Sequence, residues 1–232
     1  MFSNECYVVN EQTYEVQKKA FMNCARSGHQ LAHLHRKFEY KTKDFIYAIG
    51  SKYPDETSKK CEVYDISKNK WTEICDLEQS RHYHTVTVLD SRYIYVIGGR
   101  DSMNETPLES IERLDGFLDL DKQSWEQLQH VNKHNMWSPR DTLGSFALND
   151  SEILIFGGDY GWISDCFNFN TKTNEIQRLG DCSLKKPEEF FRAQPVRYNE
   201  KVFVVGCLDK DLHVFSIKAQ KWFLLEKWYV DW

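Results

Sequence analysis

Among the side chains of this sequence, pairs of histidines come closest in type and spacing to a metal-binding pattern. Two His-x-His pairs occur, and residues two apart share one face of a β-strand, which is an arrangement that transition metals use. A third pair is spaced by four residues. No third ligand follows at the spacing typical of a zinc site, so the sequence predicts no metal site. The pairs are His33/His35, His82/His84 and His130/His134.

The seven cysteines are the second group of reactive side chains. Their odd number and the lack of a Cys-x-x-Cys pair favour a reducing compartment over a secreted disulfide framework. Cys6, Cys61 and Cys166 hold equivalent positions in the repeat described below, which favours a role as small buried hydrophobic residues. The sequence also lacks a phosphate-binding glycine loop, a Gly-x-Ser-x-Gly elbow and a paired-carboxylate signature. It therefore predicts no catalytic residues and no cofactor.

Composition and charge describe a folded, soluble chain. Of the 232 residues, 41% are hydrophobic and 14% aromatic, and the aromatic residues are spread from end to end, which argues against disorder. The 30 Lys and Arg residues against 35 Asp and Glu residues give a net charge of −5 without runs of like charge, which disfavours nucleic acid and anionic lipid as partners. No basic leader and no membrane-spanning apolar stretch is present, so we expect a cytoplasmic protein without membrane contact.

Three sequence elements recur along the chain and must position these side chains. Five times an apolar or aromatic residue precedes Asp, Asn or Ser, and Trp or a β-branched residue follows six positions later; successive copies lie 55, 54, 51 and 46 residues apart. Apolar runs that end in glycine alternate with these copies, and they predict strands whose final glycine supplies a positive φ. An arginine follows each of the first four Trp-type positions. The copies are Val9-Asn10 to Val16, Tyr64-Asp65 to Trp71, Leu118-Asp119 to Trp125, Phe169-Asn170 to Ile176 and Phe215-Ser216 to Trp222; the glycine runs are Phe45–Gly50, Tyr93–Gly99, Ile153–Gly158 and Val202–Gly206; the arginines are Arg26, Arg81, Arg140 and Arg192.

Each repeat predicts four short strands in a fixed order, and no helical periodicity extends beyond a turn or two. Radial packing of such units buries both faces of every unit, which indicates an all-β fold. The Gly-Gly strand followed by an aromatic residue and a Trp resembles the kelch repeat, with the most complete copy running from Arg81 through Gly98-Gly99 to Trp125. The second glycine is lost at Gly50-Ser51 and Gly206-Cys207. The resemblance covers nearly the whole chain and implies a kelch-type β-propeller.

The strand count predicts a single array over residues 1–232 with about four full blades and an N-terminal half-blade. This count fits a small five-bladed ring with a thin closing blade, an incomplete ring, or a piece of a larger assembly. An open array leaves an unpaired strand edge, so we expect that Asn4–Phe21 or Tyr198–Trp232 contacts a second copy or a partner. The predicted boundaries are a half-blade at 1–22, blades near 26–71, 81–125, 140–176 and 192–225, and a tail at 226–232.

The resemblance also implies where a partner binds. In kelch propellers the binding face is made by loops that precede the innermost strands and loops that leave the Gly-Gly strands. Tyr, Trp and Arg on such loops are the residue types that dominate interface hot spots. The recurring arginines are expected to bond backbone carbonyls, and His29 and His84 to bond backbone at the start of the inner strands. The candidate binding residues are Tyr53, Tyr83, Arg100, Asp101, Asp159, Tyr160, Trp162 and Asp209, with Lys52, Thr142 and Gln194 on the same loops.

The sequence thus favours a non-enzymatic protein-interaction module or scaffold that binds a protein or peptide. Resemblance to kelch proteins implies a role as a ubiquitin-ligase substrate adaptor or a cytoskeletal scaffold. One alternative is an enzyme that acts on a sugar or sugar acid in the central channel, which predicts carboxylates and His converging at the channel mouth. Another alternative is a structural subunit of a large assembly.

Overall fold

The computed structural model describes residues 2–37, 42–53, 55–132, 137–158, 165–181, 195–205 and 211–227. In these ranges short β-strands dominate, and none of the helices is long and apolar enough to cross a membrane. Consecutive strands pair antiparallel into four blade sheets arranged in a ring and a separate two-stranded N-terminal sheet, which confirms the predicted all-β propeller. The strands are β1 Tyr7–Val9 and β2 Val16–Lys18 in the half-blade; β3 Gln30–Lys37, β4 Thr42–Ile49, β5 Cys61–Asp65 and β6 Lys70–Ile74 in the first blade; β7 Thr85–Leu89, β8 Tyr93–Ile97, β9 Ile111–Asp115 and β10 Trp125–Leu128 in the second; β11 Val131–Asn132, β12 Gly144–Asn149, β13 Glu152–Phe156, β14 Asp165–Asn170 and β15 Glu175–Asp181 in the third; and β16 Val196–Tyr198, β17 Lys201–Val205, β18 Asp211–Ser216 and β19 Lys221–Lys227 in the fourth.

The second strand of a blade is apolar without alternation because both of its faces are covered. In β8 and β13 every residue after the first is buried. A strand in the middle of a blade packs against the neighbouring blades on both sides, so a continuous apolar run replaces the period-2 pattern. The core of the molecule therefore lies between the blades.

The Trp-type residue of each blade pairs with the last apolar residue of the third strand. In the second blade Trp125 lies opposite Leu114, so the predicted assignment of this position to Leu118-Asp119 is wrong. A longer turn containing a 3-10 helix, Leu120–Lys122, separates the two strands and leaves Leu118 exposed. The repeat period cannot reveal this insertion because the turn adds its own leucine and aspartate. The other pairs are Val9 with Val16, Tyr64 with Trp71, Phe169 with Ile176 and Phe215 with Trp222.

The third blade has a fifth strand that the repeat does not predict. The segment β11 comes from the linker after the second blade and pairs parallel with β15, with Val131 opposite Glu175. It covers the outer edge of this blade, an edge that would otherwise present unpaired backbone groups.

Within the described residues, the N-terminal half-blade packs on the first blade. Cys6, Ala20 and Met22 contact the cluster that contains Trp71, and the Trp71 indole donates a hydrogen bond to the Ala20 carbonyl at 3.0 Å. In the described part of the chain, no strand pairs with the second edge of β1. Val16, the Trp-type residue of the half-blade, is 63% exposed, whereas its counterparts in the full blades are buried.

In each of the first two full blades, a buried arginine holds the strands together. It bonds a backbone carbonyl, as the sequence predicted. Arg81 donates to the Gly98 carbonyl at 2.8 Å and to the carboxylate of Glu112, and both side chains are fully buried. The same carboxylate accepts hydrogen bonds from the Glu78 and Gln79 backbone amides at 2.8 and 3.2 Å. One carboxylate thus fixes both the arginine and the loop that precedes it.

The first blade repeats this network with different residues. Arg26 donates to the Gly50 carbonyl at 3.0 Å and pairs with Glu62 at 2.8 Å, again with both side chains fully buried. Glu62 also accepts from the backbone amides of Asn23 and Cys24. Each charge is therefore satisfied by several hydrogen bonds, which is the condition under which a buried ion pair is tolerated.

The third blade keeps the arginine and replaces the glutamate. Arg140 lies over the rings of Trp137 and Phe167, with its guanidinium carbon 4.4 and 4.7 Å from the ring centroids. Phe167 occupies the strand position that Glu112 holds in the second blade. Burial lowers the pKa of Arg140 to about 10, so it remains charged at neutral pH, stabilised by cation–π contacts. Arg192 lies outside the described residues.

The same arginines connect consecutive blades through their backbones. The Arg81 carbonyl accepts from the Ser51 amide at 3.2 Å, and the Arg140 carbonyl accepts from the Gly99 amide at 2.9 Å. Gly50 adopts a φ of +70°, and a Cβ there would lie 2.4 Å from the Arg81 carbonyl oxygen. Glycine at the end of the second strand thus allows the backbones of two blades to approach.

Two cysteine positions differ although the repeat makes them equivalent. Cys61 is fully buried, and burial raises the pKa of its thiol to about 12, as expected for a small hydrophobic residue. Cys166 is also buried but is disulfide-bonded, so the expectation of a reduced hydrophobic side chain is wrong at this position.

Removal of the Glu112 carboxylate should destabilise the fold severely. In Glu112→Ala, Arg81 is left as a buried charge and two backbone amides lose their acceptor, so we expect the free energy of unfolding to fall by about 3–5 kcal/mol. Urea denaturation would measure it. Glu126→Ala is the matched control, because its pair with Arg113 is exposed and should contribute about 0–1 kcal/mol. Equal losses in the two variants would contradict this role of Glu112.

Candidate functional site

The loops that precede the inner strands meet on one face of the propeller, here called the loop face. The Tyr83 amide donates to the Gly28 carbonyl at 2.9 Å, and the Thr142 amide donates to the Tyr83 carbonyl at 2.8 Å. These three residues hold equivalent positions in the first, second and third blades. Backbone hydrogen bonds thus link the loops of three blades in series.

The linked positions adopt an uncommon backbone conformation. Gly28, Tyr83 and Thr142 have φ values of +64°, +53° and +55°. Positive φ costs a glycine nothing, but for a β-branched threonine it is an outlier that persists only where the surrounding structure fixes it. The bond between Thr142 and Tyr83 supplies that constraint, so the face is held rigidly.

Four of the eight predicted binding residues lie on this face in the described part of the chain. Tyr53 is 41% exposed and meets the ring of Phe2 edge-on, with centroids 4.9 Å apart. Tyr83 is partly buried, and the Lys52 ammonium lies 5.4 Å above its ring. The others, Asp159, Tyr160, Trp162 and Asp209, lie outside the described residues, as does Gln194.

Arg100 and Asp101 have structural hydrogen bonds that the sequence did not predict. The Arg100 guanidinium binds Asp141 of the next blade at 2.7 Å and the Glu105 carbonyl at 2.9 Å, and 26% of its side chain remains exposed. Asp101 accepts from the Ser80 hydroxyl at 2.6 Å and from the Met103 amide at 2.8 Å. Both side chains therefore fix the loops that would contact a partner.

A buried hydrogen-bonded chain beneath the face was also missed by sequence reasoning. The Ser102 hydroxyl donates to the Ser51 carbonyl at 2.6 Å, so its oxygen accepts from Nδ1 of His82 at 3.0 Å. This assigns the proton to Nδ1 and leaves Nε2 deprotonated, 3.8 Å from the Glu105 carboxylate. His82 follows Arg81 as Asp141 follows Arg140, and this equivalence is the one signal that could have identified both residues.

His84 does not behave as the sequence predicted. Neither of its ring nitrogens has a hydrogen-bond partner in the described part of the chain, so the expected bond to backbone is wrong. Burial, followed by the nearby charge of Arg81, places the pKa of His84 well below its ordinary value. Burial likewise lowers the pKa values of His29 and His82 to about 4. All three imidazoles are neutral in the folded protein at pH 7.

These lowered pKa values predict acid sensitivity. An unfolded chain protonates His84 below pH about 6.5 while the folded chain does not, so stability is retained above this pH and lost below it. His84→Leu introduces the residue that the third blade has at this position, Leu143. Between pH 7 and pH 5 we expect its free energy of unfolding to fall by about 2 kcal/mol less than that of the wild type. Urea denaturation of both proteins at the two pH values measures this difference. The carboxylates are the same in both proteins, so their titration cancels in the comparison. If the wild type and His84→Leu lost the same free energy of unfolding between pH 7 and pH 5, His84 would not be the buried neutral side chain described here.

Comparison with known proteins agrees with this geometry. A model of the KLHDC2/KLHL20/DRC7 Kelch-repeats domain matches residues 40–227. A RING finger domain and kelch repeat-containing protein of Dictyostelium discoideum is 31% identical over 96 residues, which are 41% of this chain and 9% of that protein. Kelch-like protein 13 of Mus musculus is 26% identical over 110 residues, 45% of this chain and 15% of that protein.

Beta-scruin of Limulus polyphemus is 49% identical over 39 residues, 17% of this chain and 4% of that protein. The matched segments thus span a small part of each relative, and the similarity concerns the repeats. The family model covers most of the chain, including every complete blade except the first strand of the first one. The chain belongs to the kelch-repeat family.

Proposed function

We propose that this chain is a non-enzymatic interaction module whose loop face binds a protein or peptide partner. The observation that carries the proposal is the backbone-bonded series Gly28, Tyr83 and Thr142, which holds the loops of three blades in one rigid surface. An exposed aromatic group, Tyr53, and a half-buried cationic group, Lys52, lie beside it. A surface ordered before binding loses little conformational entropy on association, which favours affinity.

The charge arrangement supports binding over catalysis at this face. Asp141 is paired with Arg100, and Asp101 is bonded to the Ser80 hydroxyl and a backbone amide. Both carboxylates thus hold neighbouring loops in place, which is a structural role. His82 remains with Glu105 nearby, and in the described part of the chain these two side chains do not form the carboxylate pair that glycoside hydrolysis uses.

The names of two relatives set the finer alternatives. One joins kelch repeats to a RING finger domain, and another is a scruin. A ubiquitin-ligase adaptor or a cytoskeletal scaffold is therefore the form of interaction module that we propose for this chain, acting in the cytoplasm.

Affinity capture with a matched pair of variants tests the loop face. Tyr53→Ala should lower recovery of one discrete protein at least tenfold relative to the wild type, as expected for an aromatic hot spot worth more than about 1.4 kcal/mol. Ile66→Ala truncates an exposed side chain in the turn after β5, at the opposite end of the first blade, and should leave recovery unchanged. Identical partner sets for all three proteins, together with detectable turnover of a sugar acid, would favour the enzyme.

Assembly through the terminal sheets is a second proposal, carried by a different observation. Val9 and Val16 of the half-blade are 59% and 63% exposed, and Val196 and Tyr198 of the fourth blade are 63% and 69% exposed. Exposed apolar strands with an unpaired edge favour pairing with another chain. Sedimentation of the wild type should show a dimer that Val9→Lys/Val16→Lys converts to a monomer. A monomeric wild type with slow amide exchange at both terminal strands would exclude self-assembly.

A further inference from the structure

The inner strand of the first blade bears an exposed polar row that a complete propeller would cover. Along β3 the side chains alternate, with Ala32 and Leu34 buried and Leu31, His33 and His35 exposed. The two-stranded half-blade covers Tyr64 and Trp71 on the outer strands of this blade. In the described part of the chain it supplies no strand over β3, so the two imidazoles face outward.

Both imidazoles point to one carboxylate on the neighbouring strand. Nε2 of His33 lies 2.9 Å from Oδ1 of Asp44, and Nδ1 of His35 lies 2.8 Å from the same oxygen. The antiparallel register puts His35 directly opposite Asp44, with His33 two residues along on the same face. Hydrogen bonds from the two imidazoles lower the pKa of Asp44, so its carboxylate is ionised at neutral pH.

This cluster supplies the third ligand that the sequence lacked. Two imidazole nitrogens and one carboxylate oxygen are ligands that Zn²⁺ accepts, and three protein ligands leave a coordination position for solvent. Asp44 is nine residues from His35, a spacing that suggests no ligand set until the cross-strand pairing is known. The backbone positions are fixed by the β3–β4 ladder.

The donors are at present hydrogen-bonded to each other and do not surround a common point. No group of three His, Cys, Asp or Glu side chains in the described ranges is already arranged around a metal position. The three side chains are 61%, 43% and 41% exposed, so they can rotate without displacing packed neighbours. Each imidazole would bind the cation through the nitrogen that now donates to Asp44, after the proton on that nitrogen moves to the other ring nitrogen.

We propose that His33, His35 and Asp44 form a surface binding site for a divalent transition-metal ion, with Zn²⁺ as the best chemical match. The site lies on the sheet surface of the first blade and is independent of the loop face. It would hold the metal through side chains alone, since the backbone of both strands is engaged in the ladder.

Calorimetric titration of the full, metal-free chain without a polyhistidine tag tests the proposal. The wild type should bind one equivalent of Zn²⁺ at pH 7.5, and Co²⁺ should give an absorption spectrum of a bound ion. His33→Ala, His35→Ala and Asp44→Asn should each weaken binding at least tenfold. His130→Ala, which removes a partly buried histidine outside the cluster, should leave binding unchanged.

The pH dependence adds a readout that a nonspecific surface ion would not share. Only a neutral imidazole can bind the ion, so affinity should fall on acidification, because protons then compete with the metal for the two nitrogens. Circular dichroism of the variants should match the wild type, because these side chains are exposed. Zn²⁺ binding that is equal in the wild type and in His33→Ala/His35→Ala would overturn the proposal, as would an equal loss in His130→Ala.

Discussion

The buried arginine that precedes the inner strand is the interaction on which the rest of this propeller depends. In the second blade, the Arg81 side chain binds the end of the Gly-Gly strand and Glu112, while its carbonyl accepts from the loop of the preceding blade. One residue therefore sets the position of three segments. Both loop sets of the loop face begin at these segments, so the geometry of the proposed binding surface follows from a charge buried in the blade. Because that charge is costly without its partners, any arrangement that separates them is strongly disfavoured.

The third blade shows that the constraint is a buried cation rather than a particular salt bridge. Phe167 replaces the glutamate, and Trp137 from the preceding linker forms the second wall around Arg140. The Trp137 indole also donates to the Glu109 carbonyl at 2.9 Å, so this linker is tied to the second blade. The same linker contributes β11 to the outer edge of the third blade. In the first two blades a glutamate holds the loop before the arginine. The third blade has no such glutamate, and the linker before Arg140 is longer and is held instead by Trp137 and β11.

The sequence predicted the propeller because glycine-terminated apolar strands and Trp-type positions are determined locally and recur. It did not identify Glu62, Glu112 or Asp44 as partners, because the residues they bind are distant along the chain or on the opposite strand. The wrong assignment of Leu118 has a related cause: a turn insertion that repeats the apolar-Asp pair preserves the spacing while the pairing shifts. The resemblance was enough to place Tyr53 and Tyr83 on the loop face. It was not enough to predict the hydrogen bonds that Arg100 makes within the structure. The partner of Arg100, Asp141, is 41 residues away along the chain, and only the equivalence of the positions after Arg81 and Arg140 could have pointed to it.

This kelch array has two kinds of surface with different physical properties. On the loop face, backbone bonds between blades fix Tyr83 and Thr142 in a strained conformation, so binding there would require little further ordering. On the exposed side of β3, the strand is rigid but His33, His35 and Asp44 are free to rotate. Ordering these side chains costs conformational entropy. A hydrogen bond to a partner offsets that cost weakly, whereas a metal–ligand bond offsets it well. The two surfaces therefore suit different ligands: the preorganised loop face suits the proposed peptide partner, and the side-chain site suits an ion that coordinates strongly enough to order it.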